Sequence, residues 1–183
     1  MSGLEDAYHI KTERLLLRSF HDNDAPRMTA LIGNWNVIRW LAAPPYPYRL
    51  NNAEAFIARV APETITQQNA TLAIEIEGVL AGSIGYEARG EDVHLGYWLG
   101  EPYWGKGYMR EAVSAVLGVY FSAHNNREII SSVLMGNEAS LRLQKSFGFE
   151  TVGETDLFCV PHDAVLPAVG TRLSRERYKV TIQ

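Results

Sequence analysis

The chain has 183 residues, 46% of them hydrophobic and 21% charged, with a net charge of −4 at pH 7. That is enough chain for one domain with its own core, in a composition ordinary for a soluble protein. No Lys/Arg run supports nucleic-acid binding, no apolar stretch approaches the roughly 18 residues of a membrane span, and the single cysteine, Cys159, rules out an intrachain disulfide.

A lone cysteine fits a reducing compartment. The first residues, M-S-G-L-E-D, lack a basic-then-apolar signal peptide, so the expected location is cytoplasmic. No internal repeat, low-complexity tract or linker divides the chain. The expectation is one domain over 1–183, with a core from about residue 10.

In chain order, Leu15 to Leu17, flanked by Arg14 and Arg18, reads as a first strand. Asp22 and Asp24 are candidate caps for a helix running to about Ile32, with Pro26 in its first turn. An irregular aromatic stretch from Trp35 to Tyr48 carries prolines 44, 45 and 47. Asn51 or Asn52 is expected to cap a second helix, with Ala53, Phe56, Ile57 and Val60 on one face. Two strands, Thr71 to Ile76 and Val79 to Gly85, flank Glu77-Gly78, a hairpin turn. A strand from Val93 to Leu99 follows Arg89-Gly90.

Next comes Y-W-G-K-G-Y-M-R-E, from Tyr103 to Glu111, and at once a helical pattern in which Met109, Ala112, Val113, Val116, Leu117 and Tyr120 share one face. A helix N-terminus has unpaired N–H groups and the positive end of the helix dipole, which suit a phosphate. Glycines there permit close backbone approach. Neither a P-loop nor a dinucleotide fingerprint is present. A second strand–helix unit follows: Ile129 to Leu134, then N-E-A-S-L-R-L-Q-K-S-F-G-F from Asn137 to Phe149, with Asn137 as N-cap and Gly148 as the closing residue. Tyr178, Val180 and Ile182 alternate as a last strand should. Pattern alone gives mixed α and β around one sheet.

These two segments together resemble the GNAT superfamily of N-acetyltransferases, and within it the Rim-type branch of ribosomal-protein N-terminal acetyltransferases. The family's acetyl-CoA loop has the form Q/R-x-x-G-x-G/A; here W-G-K-G-Y-M matches at Gly107 and departs at Trp104 and Met109. G-Y-W-L before the loop and N-x-x-S-x-x-L-x-x-x-x-G-F after it also fit the branch. The resemblance implies an α+β fold, a mixed, mostly antiparallel sheet with helices on both faces. It implies an acetyl-CoA-dependent acyltransferase in which a primary amine attacks directly. A peptide or protein N-terminus is the leading acceptor; a small amine such as an antibiotic or polyamine is the alternative, and a CoA-binding module without turnover is the rival of another class. A homodimer is compatible with the branch, though no coiled-coil seam is visible. No metal site is expected.

For the cofactor, the resemblance implies a pyrophosphate on the backbone N–H groups of Gly105, Lys106, Gly107, Tyr108, Met109 and Arg110, with Trp104 at the head of the loop, and the pantetheine arm along the strand Leu95 to Leu99, with Tyr97, Trp98 and Leu99 as its contacts. A main-chain N–H near Trp98 or Leu99 would bind the developing oxyanion. Lys106 and Lys145 either approach a phosphate or are solvated surface. Ser140 is expected near the CoA sulfur as a proton donor, and Asn137 on the cofactor arm, as a helix cap, or both. His94 and Glu87 are the candidate bases, directly or through water; the alternation of the strand favours His94 as a partly exposed structural residue. Trp35, Trp40, Tyr46 and Tyr48 form either an acceptor wall or an apolar cluster pinning the loop. Cys159 reads as structural.

Overall fold

The computed structural model describes residues 9–61, 66, 68–123 and 128–181. Its frame is an eight-stranded sheet: β1 (Ile10–Lys11), β2 (Leu16–Arg18), β3 (Asn69–Ile76), β4 (Val79–Arg89), β5 (Asp92–Leu99), β6 (Ile129–Leu134), β7 (Glu150–Cys159) and β8 (Ala164–Leu173). The spatial order is β1-β2-β3-β4-β5-β6-β8-β7. Every pairing is antiparallel except β5 with β6.

The sheet has helices on both faces because its strands carry apolar residues on both. Leu72, Ile74 and Ile76 of β3 join Val113, Val116 and Leu117 of α4 (Tyr108–Ala123) in the larger core. Ala73 and Leu80 face the other way, toward Met28 and Ile32 of α1 (Ala25–Ile32) and Ile57 of α3 (Leu50–Val60). Phe147 and Phe149, which follow α5 (Glu138–Lys145), belong to the α4 side.

The Glu77-Gly78 turn stands as read: φ is +51° and +80°, the pair of positive values a two-residue hairpin needs. Asn137 caps α5, accepting from the Ser140 N–H at 3.2 Å. Gly148, at φ +91°, turns the chain so that the Phe149 N–H reaches back to the Gln144 carbonyl at 3.2 Å.

Four readings need correction. The expected last strand is a helix, α6 (Arg175–Thr181). Ser174 opens it by accepting from the Arg177 N–H, and Tyr178 stacks on Phe121 at 5.0 Å. Three residues of alternation are too few to outweigh that anchor, and Ile182 lies outside the described residues. In the aromatic stretch, residues Trp35–Ile38 form a short helix, α2, capped by the Asn34 side chain. The N-cap of α3 is Arg49, and Asn52 works in reverse, its side chain accepting the Arg49 N–H at 2.8 Å. Asp24 stands at the N-cap of α1 but makes no side-chain cap bond.

The Asp24 carboxylate instead takes the His21 N–H at 2.9 Å and two Arg18 donors at 2.8 and 3.0 Å, while Arg18 Nε donates to Glu75. Burial by itself raises the Asp24 pKa; Arg18 and the His21 N–H more than reverse this and hold it below the usual carboxylate value. A depressed native pKa stabilises the fold above the unfolded value, near 3.9, and that contribution is lost as pH falls through the native value. Asp24→Ala should therefore cost about 2 kcal/mol at pH 7, since it takes two charge-assisted hydrogen bonds from a largely buried guanidinium and leaves it Glu75 and the Ser19 carbonyl. Urea melts at pH 7 and pH 3 check this: below about pH 4 the wild type loses more stability than the variant.

Candidate active site

The parallel ladder between β5 and β6 has one bridge, His94 with Ile130. It stops because the Ser131 hydroxyl takes the next carbonyl, that of Leu95, at 3.1 Å. Beyond this point the strands part and a cleft of about 510 Å³ opens between them.

Along an extended strand, a residue's N–H and C=O share one edge, and the edge alternates with each residue. The Leu95 carbonyl faces β6, the Leu99 carbonyl accepts from Trp104 Nε1 at 2.6 Å, and the Gly100 N–H turns to Ala81 of β4. The N–H groups of Tyr97 and Leu99 therefore point to the open edge, and that of Trp98 toward β4. This narrows the expected oxyanion donor from Trp98 or Leu99 to the odd-numbered amides.

The glycine loop forms one mouth of the cleft. Gly105 and Gly107 have φ of +73° and +81°, values that cost an L-residue about 1–2 kcal/mol. The first helical bond of α4 runs from the Glu111 N–H to the Gly107 carbonyl, so the N–H groups of Tyr108, Met109 and Arg110 are those a helix start leaves unpaired. Arg14 braces the loop from the distant β1–β2 connection. Its Nε donates to Glu111 at 2.7 Å, its NH1 to the Lys106 carbonyl at 2.9 Å, and its guanidinium lies 4.7 Å from the Tyr108 ring centre. Positive-φ glycines, free helix-start amides and an apolar cleft leading from them fit a pyrophosphate with a pantetheine arm.

Opposite β5, helix α5 brings Ser140 to the cleft. The hydroxyls of Tyr97 and Ser140 lie 2.8 Å apart. Behind them Gln144, 1% exposed, donates from Nε2 to Tyr97 at 3.2 Å and to Ser131 at 3.0 Å, and accepts from Thr171 at 2.6 Å. Burial raises the Tyr97 pKa, with Ser140 and Gln144 pulling against it, so the phenol is neutral at pH 7.

Of the residues expected at the site, Tyr97, Trp98, Leu99, Trp104, Gly105, Gly107, Tyr108, Met109, Arg110, Asn137, Ser140 and Trp40 line the cleft. The others lie elsewhere. Lys106 Nζ turns back to the Pro102 carbonyl at 2.9 Å, and Lys145 is exposed outside the lining. Trp35 and Tyr46 pack on each other, ring centres 4.9 Å apart, outside the lining. His94 sits at the closed end of the ladder; burial, then Arg89, lower its pKa against Asp92 and Glu87. Glu87 is exposed and paired with Arg89 at 3.0 Å. Cys159 is fully buried in a small cluster with Leu134 and Ala168, its thiol pushed up by burial. Among the described residues no group of three or more His, Cys, Asp and Glu side chains gathers as for a metal ion.

Sequence reasoning passed over Gln144, Ser131 and Thr171, which carry the hydroxyl network, and Arg14 and Glu111, which carry the loop. One signal was present: Gln144 lies four residues after Ser140, so it shares a helical face with it and interrupts an apolar stripe. Glu101 was also missed; it accepts from Asn34 and Asn36 and ties α2, one wall of the cleft, to the base of the glycine loop.

Residues 14–150 match the family model for the acetyltransferase (GNAT) domain. The chain is similar to the uncharacterized N-acetyltransferase YoaA of Bacillus subtilis, at 30% identity over 158 residues, 79% of this chain and 84% of that one. Its fold is similar to that of ribosomal-protein-S5-alanine acetyltransferase from Vibrio fischeri, with a TM-score of 0.76, 19% identity, and 93% and 98% of the two chains covered. It is also similar to that of the ribosomal-protein α-N-acetyltransferase RimL in complex with coenzyme A, with a TM-score of 0.78, 17% identity, and 91% and 98% covered.

A Cβ on Gly107 would lie 3.4 Å from Arg14 NH2, and a valine there would both strain the loop and press on its brace. Gly107→Val should weaken acetyl-CoA binding at least about tenfold by calorimetry, a cost of about 1.4 kcal/mol. Gly118→Ala, in the helix that follows the loop and with only an ordinary contact to Tyr178, is the control and should leave affinity unchanged. Cys159→Ala should keep the parent kcat, because the thiol is walled off from the cleft; loss of activity with the fold intact would bring back a covalent mechanism.

Proposed function

The chain belongs to the GNAT acetyltransferase family and is an acetyl-CoA-dependent N-acetyltransferase, and on that premise we propose that its acceptor is the α-amine of a peptide or protein N-terminus. One observation carries the proposal: among the described residues lining the cleft there is no Asp, Glu or His. An amine must be uncharged to attack. At pH 7 that costs about 1 kcal/mol for an α-amine and about 4.6 kcal/mol for a lysine side chain. A cleft without a strong base suits the first. It also lacks the carboxylates that would hold a polyamine. The names of two neighbours in fold, the S5-alanine enzyme and RimL, support the same acceptor class.

In this reading the amides of Tyr108, Met109 and Arg110 hold the pyrophosphate, and the free N–H of Tyr97 or Leu99 meets the charge that develops on the carbonyl oxygen. Such a donor contributes about 3–4 kcal/mol. Ser140 presents a proton to the leaving sulfur. Trp40, with Leu41 and Ala42, walls the acceptor side. One buried, unpaired thiol fits a cytoplasmic enzyme.

The test is a panel of acceptors: peptides with a free N-terminal alanine or serine, an N-terminally blocked lysine peptide, and spermidine. At pH 7 the α-amine peptides should lead the lysine peptide by more than about tenfold in kcat/KM, with the gap closing as pH rises toward the lysine pKa. Equal rates at pH 7 would mean that a base serves the cleft after all. In the same assay Ser140→Ala should lower kcat about a hundredfold while acetyl-CoA affinity changes little.

A further inference from the structure

We propose that Tyr97 is the source of the proton delivered to the leaving sulfur, acting through Ser140, and that the buried Gln144 amide is the positioning residue that sets this direction. The inference rests on the acyl-transfer reading of the cleft and adds two residues to it.

The need for a second hydroxyl is thermodynamic. An aliphatic hydroxyl ionises near the pKa of water, about 15.7, whereas a thiol ionises near about 8.5. Ser140 alone would give up its proton against roughly seven orders of magnitude. A phenol, near about 10, faces a gap of only one or two before the effect of burial. Tyr97 is within hydrogen-bond reach of Ser140, at 2.8 Å, and both line the cleft.

The direction follows from the donors. Thr171 Oγ1 donates to Gln144 Oε1 at 2.6 Å, which turns the amide nitrogen toward Tyr97 and Ser131. Ser131 accepts that N–H and passes its own hydrogen to the Leu95 carbonyl. The Tyr97 oxygen accepts the other amide hydrogen, which leaves its O–H for Ser140. Ser140, its Oγ receiving from Tyr97, is left with a hydrogen for the cleft. Thr171, Gln144, Tyr97 and Ser140, from β8, α5 and β5, thus form a chain of donors with one outlet.

As the carbon–sulfur bond breaks and its electron pair goes to sulfur, Ser140 gives its proton to sulfur and takes that of Tyr97. The negative charge ends on the Tyr97 oxygen, where the Gln144 N–H already donates. The proton shed by the attacking nitrogen passes to solvent and restores the phenol, so protons and charge balance over a turnover.

The experiment has two readouts. The first needs no turnover: the ionisation of the thiol of bound coenzyme A, followed by thiolate absorbance. It should lie below that of free coenzyme A in the wild type and move up in Tyr97→Phe, toward the Ser140→Ala value. The second is single-turnover transfer from acetyl-CoA to a peptide with N-terminal alanine, in mixtures of light and heavy water. The wild-type rate should bow with deuterium fraction, as for two protons in motion. Tyr97→Phe should be at least tenfold slower and linear. Gln144→Glu keeps the shape but accepts where the amide donated, so it should slow transfer more than Gln144→Leu. Melting points and coenzyme A affinity confirm that each variant is folded; if Tyr97→Phe is not, the two Gln144 variants decide. Wild-type rates and thiol ionisation in the folded variants would overturn the relay. A wild type that binds coenzyme A and transfers to no amine would overturn the acyl-transfer reading, and the relay with it.

Discussion

Everything at this site depends on two parallel strands pairing once and then separating. β5 is held by β4 along its whole length and β6 by β8 along its own, so neither strand needs the other for order. The Ser131 hydroxyl ends the ladder by capping the Leu95 carbonyl. Past that point β5 presents backbone donors that no strand satisfies. Buried donors left unpaired cost free energy, so the open edge is a built-in demand for a ligand that supplies acceptors. The two helices that follow β5 and β6 start at the same opening. One brings its positive end and the other a serine, and the cleft is chemically different at its two mouths for that reason.

The glycine loop is rigid for a reason outside itself. Two positive-φ residues in three would leave a flexible turn if nothing held them. Arg14, from the opposite edge of the sheet, ties the Lys106 carbonyl and the Glu111 carboxylate together. Glu111 also accepts from Thr12 at 2.6 Å and from the Arg14 N–H at 2.8 Å. Burial raises its pKa, but these donors outweigh it, so the carboxylate stays charged and the brace intact well into acid. A loop already set in its binding shape loses less freedom when a phosphate arrives. The first residues of the fold thus support a loop some ninety positions later.

Features that depend on neighbours in sequence were legible, and those that depend on neighbours in space were not. Asn137, Gly148 and the Glu77-Gly78 turn each act on backbone within five residues, and the chain reads correctly there. The glycine loop was legible because its conformation is written in its own residues. The last helix was misread because three alternating residues carry no information about Phe121, on which Tyr178 stacks. Lys106 was open between a phosphate contact and solvated surface, and what decides it is its own loop, which offers it the Pro102 carbonyl. Gln144 looked like one more polar residue on a surface helix. Its role appears only when β5, β6 and β8 meet around it, a long-range event with no local signature beyond a polar group on an apolar face.

The chemistry is distributed unevenly across the cleft. On what the proposed reaction makes the leaving-group side stand four hydrogen-bonded side chains, two of them almost fully buried. On the nucleophile side stand aromatic and aliphatic groups without a carboxylate or imidazole. Under the proposed function such a site lowers the barrier for thiolate departure and leaves the protonation of the nucleophile to the acceptor's own pKa. Selectivity among amines then needs no recognition of the amine itself. A lysine side chain can reach the same apolar wall, but it arrives protonated, and about 4.6 kcal/mol of its binding would have to go to removing that proton at pH 7. The basicity filter and the apolar wall act together. Under the proposed function the first sets which class of amine reacts, and Trp40 with its neighbours is left to set which member of that class fits.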